Sequence, residues 1–215
     1  MKNPFNSRAR RLLATSVLPV LVAAATTSPA LAAKTLAAQP ASTAALASAS
    51  TANCTTPALS EAFSAYGDSE QYTLVPGQAF DSFTGTGWTL SGGAKIQTAT
   101  LSDDTTGPVL DLPSGAQAIS PPMCVQSDYP NARTMIRDVS GSQAVELGAQ
   151  YAGTSAPVDA GRFSGSGAGW TASNPVKTNP GSQSGWQLVV FTLQGSSKAG
   201  DEQIYNFCVD PRMTS

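Results

Sequence analysis

Three cysteines, at positions 54, 124 and 208, and two acidic pairs, Asp103-Asp104 and Asp201-Glu202, are the residues best suited to chemistry in a chain that contains no histidine. Without imidazole there is no Ser-His-Asp or Cys-His relay, and the commonest ligand of catalytic zinc is missing. A Ser-Lys mechanism would use Ser-x-x-Lys spacing, which does not occur in the 215 residues. Paired carboxylates are the remaining catalytic option. They would run glycoside hydrolysis, one as general acid and the other as base or nucleophile. Both acidic pairs read more simply as solvated residues of turn-like segments, so no catalytic residue, metal ligand or cofactor is assigned. The residues left for function are aromatics outside the strand patterns. Trp170, within a Gly/Ser-rich stretch, leads them, followed by Tyr129 and Tyr66. Such rings stack on sugar faces, with polar side chains at the rim. Trp88 and Trp186 lie inside strand patterns and read as core.

The first 32 residues set the compartment. Lys2, Arg8, Arg10 and Arg11 form a basic head, Leu12 to Ala25 is apolar, and Ala30-Leu31-Ala32 supplies small residues at an exit site. This is the pattern of a secretory signal peptide, and the apolar run is too short to span a bilayer. Four of the 12 basic residues lie in this leader and all 14 acidic residues follow it, which leaves 8 against 14 and a net charge of −6 in the mature chain. A dispersed acidic surface argues against nucleic acid and anionic membrane as partners. Export favours a disulfide. Cys54–Cys124 is the expected pair; it closes a loop of roughly 70 residues and contributes about 4 kcal/mol in the chain-entropy description. Cys208 is left over, and its alternation with Ile204 gives it buried apolar surroundings.

The elements that position these residues are strands. Residues 33–53 are rich in Ala, Ser and Thr and read as a disordered linker, with an Ala-rich helix as the competing reading. Residues 54–211 form one domain and 212–215 a tail. Short apolar runs broken by Gly and Pro predict an all-β, antiparallel β-sandwich with one short N-terminal helical turn, in which Leu59, Phe63 and Tyr66 share a face. Val145, Leu147, Ala149 and Tyr151 alternate with polar or small residues, which turns one face to a core. The denser run Trp186–Leu193 fits a central strand buried on both sides. Near the end, Tyr205, Phe207 and Val209 are expected to point one way and Ile204, Asn206 and Cys208 the other. Further strands are expected at 71–75, 87–90, 94–98, 109–112, 116–119 and 133–138. Gly161 to Gly185 reads as a long loop.

Cys54, Phe63, Gly67-Asp68, Tyr72 to Gly77, Trp88 to Ala94, Ser120 to Cys124, Arg133 and Val209-Asp210-Pro211 together carry a resemblance to a group of secreted actinobacterial β-sandwich proteins, to which no activity is attached. A second resemblance rests on Phe80, Asp81 and Trp88, which are similar to the opening of jelly-roll carbohydrate-binding modules of the galactose-binding-like type. That resemblance implies a jelly-roll-like sandwich. An acidic residue near each end of such modules often helps hold a structural calcium. Here Asp81 fits the first position, while Ile204-Tyr205-Asn206-Phe207 lacks the closing aspartates, so metal stays unassigned. The leading expectation is a secreted, non-catalytic binding module, with an extracellular glycan as ligand. The alternative is an extracellular structural or surface-interaction protein facing a cell-envelope partner. A carboxylate-dependent glycoside hydrolase ranks last.

Overall fold

The structure is a computed structural model and describes residues 40–126, 131–141, 144–178 and 185–210. The leader, Tyr129 and the tail lie outside the described residues. In chain order the elements are helix α1 (Pro40–Ser48), 3-10 turns at Thr51–Asn53 and Ser64–Tyr66, then β1 (Thr73–Leu74), β2 (Thr89–Ser91), β3 (Lys95–Thr100), β4 (Thr106–Pro113), β5 (Gln117–Ile119), β6 (Met123–Val125), β7 (Asn131–Gly141), β8 (Ala144–Tyr151), β9 (Val158–Ser164), β10 (Thr171–Ala172), β11 (Val176–Lys177), β12 (Gln187–Gly195) and β13 (Gly200–Asp210). Every strand pair is antiparallel. A seven-stranded sheet runs β10-β7-β13-β4-β3, with β1 also on β13 and β11 also on β7. A six-stranded sheet runs β2-β5-β12-β8-β9, with β6 also on β12. The two form an all-β sandwich of jelly-roll-like kind. Among the described residues, no helix is long and apolar enough to cross a membrane.

The core lies between the sheets, because the period-2 pattern of each long strand gives it one apolar face. Phe207 of β13 meets Phe191 of β12 at 5.4 Å, Phe163 of β9 at 5.9 Å and Trp88 at 6.3 Å. Val145, Leu147, Ala149 and Tyr151 are buried in the same cluster, as their alternation predicts. The run at 188–193 is buried on both faces. Val189, Phe191 and Leu193 belong to the core cluster, whereas Leu188, Val190 and Thr192 face the other way and are also buried. Helix α1 packs against β12 on that outer side. Its Ser42 Oγ donates to Gln150 Oε1 of β8, and Gln150 Nε2 donates to Thr43 Oγ1 at 3.3 Å. Part of the stretch expected to be a disordered linker is therefore helical, as the competing Ala-rich reading had it. Alanine supplies the propensity, and the bare outer face of β12 supplies the packing that a nine-residue helix cannot do without.

Two expectations need correction. The segment Gly161–Gly185 is not one long loop: it contains the end of β9 and all of β10 and β11, two-residue strands that pair Thr171-Ala172 and Val176-Lys177 with β7. The alternation along β13 also fails. Tyr205 lies opposite Met135 and Cys208 opposite Arg133, so one extra residue is accommodated between them. Asn206 takes a left-handed φ of 51° and forms the bulge. Met135 and Arg133 are two apart on β7 and share a face. Tyr205 and Cys208 therefore point the same way, away from the six-stranded sheet, with Phe207 turned into the core.

Candidate functional site

The outward-facing side chains of β7 and β13 build the site. Arg133, Met135 and Arg137 of β7 share that face with Gln203, Tyr205 and Cys208 of β13. The segment before β1 covers one end of it. There Phe63 packs edge-on against Tyr72 at 4.8 Å, and the Arg133 guanidinium sits 5.0 Å over the Phe63 ring. Arg133 also pairs with Asp68, whose Oδ2 accepts from the Tyr72 hydroxyl at 2.7 Å. At the other end a polar chain crosses the sheet. Arg137 donates twice to Gln203 Oε1, Gln203 Nε2 donates to Asp111 Oδ1 at 2.8 Å, and Lys95 Nζ lies 3.3 Å from Asp111 Oδ2.

Between these covers a cleft of about 290 Å³ opens, near the small end of ligand-pocket sizes. Tyr205, Asn206 and Met135 form its floor. The 3-10 turn gives one wall through Ala62, Ala65 and Tyr66; the β3–β4 turn gives another through Ser102 and Asp103; Asp81 closes the rim. The Tyr66 ring is 40% exposed, so it is available to stack. The Tyr205 hydroxyl lies 2.7 Å from Ser102 Oγ and accepts from the Ser102 N–H. Burial pushes the Tyr205 pKa up and the nearby Tyr66 and Asp81 add to the rise, against the Ser102 hydrogen bonds, so it stays a neutral phenol. Asp103 Oδ1 accepts from both the N–H and the hydroxyl of Thr105, which holds that carboxyl below its usual range.

Asp81 and Asn206 are bonded to each other. The Asp81 N–H donates to Asn206 Oδ1 at 2.7 Å, and Asn206 Nδ2 donates to Asp81 Oδ1 at 2.9 Å. Both adopt left-handed φ, 58° and 51°, which non-glycine residues rarely do. These are the two positions at which the carbohydrate-module resemblance puts calcium-holding acids. The neutral Asn206 amide instead satisfies Asp81 directly, and among the described residues no three His, Cys, Asp or Glu side chains cluster as metal ligands would.

Trp170 is only partly exposed and packs on the core cluster. Its Nε1 donates to Thr100 O at 2.7 Å, its face meets Arg137 with 4.6 Å from Cζ to the ring centroid, and its edge meets Tyr205 at 4.7 Å. It is thus clamped beside the cleft floor rather than free in a loop. Tyr66 stands in the cleft wall, and Tyr129 lies outside the described residues. Trp88 is buried, with Nε1 donating to Pro76 O, and Trp186 packs on the core. The Cys54–Cys124 disulfide is formed with Cα atoms 5.7 Å apart, and Cys208 is a buried free thiol.

The acidic pairs are not turn neighbours of one another. Asp103 and Asp104 lie in the β3–β4 turn, but Asp201 and Glu202 are in strand β13, which corrects their reading as turn residues. Asp103 precedes the Thr106 end of β4, whereas Asp201 pairs with Pro113 at its other end. Seven strand steps separate them by about 23 Å, against the roughly 5–9.5 Å that paired glycosidase carboxylates span. Ser102, Met135 and Tyr205 are cleft residues that sequence reasoning did not single out as a site. Of the cleft, Tyr66 carried a sequence signal as an aromatic outside the strand patterns, and Asp81 through the carbohydrate-module resemblance.

No family model matches the chain, and no curated protein matches it. Among solved structures it is similar to the CBM22-1 xylan-binding domain from Paenibacillus barcinonensis, at 10% identity and a TM-score of 0.43 over 67% of this chain and 94% of that one. It is similar to a family 11 carbohydrate-binding module from Clostridium thermocellum in complex with a β-1,3-1,4-mixed-linked tetrasaccharide, at 12% identity and a TM-score of 0.33 over 60% and 91% of the two chains. An exo-beta-agarase matches at 11% identity and a TM-score of 0.43, over 60% of this chain and 24% of that one.

Proposed function

We propose that the chain is a secreted, non-catalytic binding module whose ligand is an extracellular glycan, held in the cleft between Tyr66 and Tyr205. The observation that carries this reading is the exposed Tyr66 ring standing over a pocket whose other groups are hydroxyls and carboxylates, from Ser102, Tyr205, Asp81 and Asp103. A sugar ring offers an apolar face to the aromatic and hydroxyl donors to the carboxylates, so one ligand class uses both halves of the pocket. Trp170 acts here as the support that fixes Tyr205, and its exposed part extends the aromatic surface. The leader pattern of residues 1–32 and the Cys54–Cys124 bridge support export. The absence of histidine and the separation of Asp103 from Asp201 support a role without catalysis.

A polysaccharide and glycan-array screen of the purified protein tests this. The expected result is saturable binding to at least one glycan, weakened about tenfold by Tyr66→Ala and measurably by Trp170→Ala. Absence of binding across the screen, or Tyr66→Ala and Trp170→Ala proteins that bind as well as the parent, would sink the proposal.

A further inference from the structure

On the opposite sheet, the turn between β12 and β13 and the edge strand β9 enclose a second cleft of about 280 Å³. Arg162, Lys198, Ser164, Ser196, Ser197 and Glu146 supply its polar groups. Three other cations of the sandwich have partners. Arg133 is paired with Asp68, Arg137 is held by Gln203, and Lys95 lies beside Asp111. Arg162 and Lys198 make no ion pair with a described residue.

Backbone features aim both cations into this cleft. Leu147 lies opposite Gly161 but Gly148 lies opposite Asp159, which leaves Ala160 as the extra residue of a bulge in β9. Gly161 takes φ 124°, and its N–H donates to Asp159 Oδ1 at 3.0 Å. The bulge resets the register so that Phe163 enters the core opposite Val145 and Arg162 faces outward opposite Glu146. The turn carrying Lys198 is anchored by the Ser196 N–H donating to Ala144 O and by Ser114 Oγ donating to Ser196 O at 3.1 Å. The Ser196 hydroxyl is buried there without a hydrogen-bond partner.

We propose that this cleft is a second binding site, which takes an oxyanion between Arg162, Lys198 and the Ser196 hydroxyl. A carboxylate, sulfate or phosphate has the charge the two cations lack and the lone pairs the hydroxyl lacks. Glu146 opposes it, restricts the anion to the Lys198 side, and keeps the affinity modest. The oxyanion belongs either to a free inorganic ion or to an acidic sugar.

The test uses the disulfide-bonded chain, labelled with ¹⁵N and titrated at constant ionic strength with phosphate, sulfate, oligogalacturonate and a neutral galactose oligomer. The expected result is saturable shifts of the amides at 164–165 and 196–198 with at least one of the three anions and none with the neutral oligomer. Saturation by phosphate and sulfate assigns the site to a free oxyanion; saturation by oligogalacturonate alone assigns it to a sugar carboxylate. Arg162→Gln with Lys198→Gln weakens binding about tenfold, and Glu146→Gln tightens it. Arg162 and Lys198 are exposed, so the double variant keeps the parent's melting temperature. Tyr66→Ala leaves these shifts unchanged, which separates the site from the glycan cleft. No saturable shift with any of the anions, or equal affinity in the double variant, overturns the proposal.

Discussion

Asp68 and Asp201 are perturbed in opposite directions, and the causes are local. Burial alone would raise the Asp68 pKa, but hydrogen bonds from Tyr72, the Glu70 N–H and Arg133 outweigh it and bring the group below its ordinary 3.8. The stabilisation is therefore present above pH ~4 and is lost as the pH falls through the folded-state value. Asp68→Asn is expected to cost about 1.5–3 kcal/mol at pH 7, with the gap to the parent closing as the pH falls through the lowered folded-state value. Asp201 is raised, first by burial and then by Asp111, against the opposing pull of Lys95. Its penalty is absent below the unfolded value and appears as the pH climbs through the folded one. Asp201→Asn should thus raise the melting temperature at pH 7 by up to a few degrees and change nothing at pH 3. Melting curves of both variants from pH 7 to 2.5 check the two signs. A destabilised Asp201→Asn at neutral pH would contradict the burial argument.

Helix α1 matters because it completes a sheet face. Removing residues 40–48 bares Leu188 and Val190, which are buried on the outer side of β12, at a cost of about 2 to 4 kcal/mol. A chain beginning at Cys54 should therefore melt lower and bind a hydrophobic dye that the longer chain excludes; equal melting and no dye binding would mean that α1 covers nothing of consequence. The same element shows what was legible in the sequence. The double-sided burial of 188–193 was readable from its unbroken apolar run, but what covers the outer side was not. Ala, Ser and Thr suit a linker as well as a helix, and the choice lies with a contact more than 100 residues away, between Ser42 and Gln150. The strand at 145–151 was legible from its alternation. β10 and β11 were not, because strands of two residues are too short to show a period. The β13 bulge was hidden for a related reason: regular alternation continues through Asn206 on paper, and only its left-handed backbone breaks it. Tyr205 was consequently placed with Phe207, and the floor of the cleft went unseen.

Across the whole molecule, the disulfide joins what the sheets separate. Cys124 sits in β6, on β12 of the six-stranded sheet, and Cys54 begins the segment that carries Tyr66 over the seven-stranded sheet. Its sequence separation is 70, so reduction should cost about 4 kcal/mol and lower the melting temperature on the order of 10 °C. It should also weaken any ligand of the Tyr66 cleft, since the wall loses its tether; calorimetry with and without reductant reads both effects. Unchanged melting after complete reduction would assign the bridge no role in the fold. Cys208 then becomes useful for a different reason. With its two fellows oxidised it is the one thiol of the chain, it has no exposed surface, and burial pushes its pKa far up. It lies opposite Arg133 on one side and Leu74 on the other. An alkylating reagent in excess can reach it only when β13 parts from β1 or β7, so the labelling rate is a clock for the opening of the central strand. A ligand that sits on Tyr205 and Asn206, three and two positions away along the same strand, should slow that clock in proportion to its occupancy.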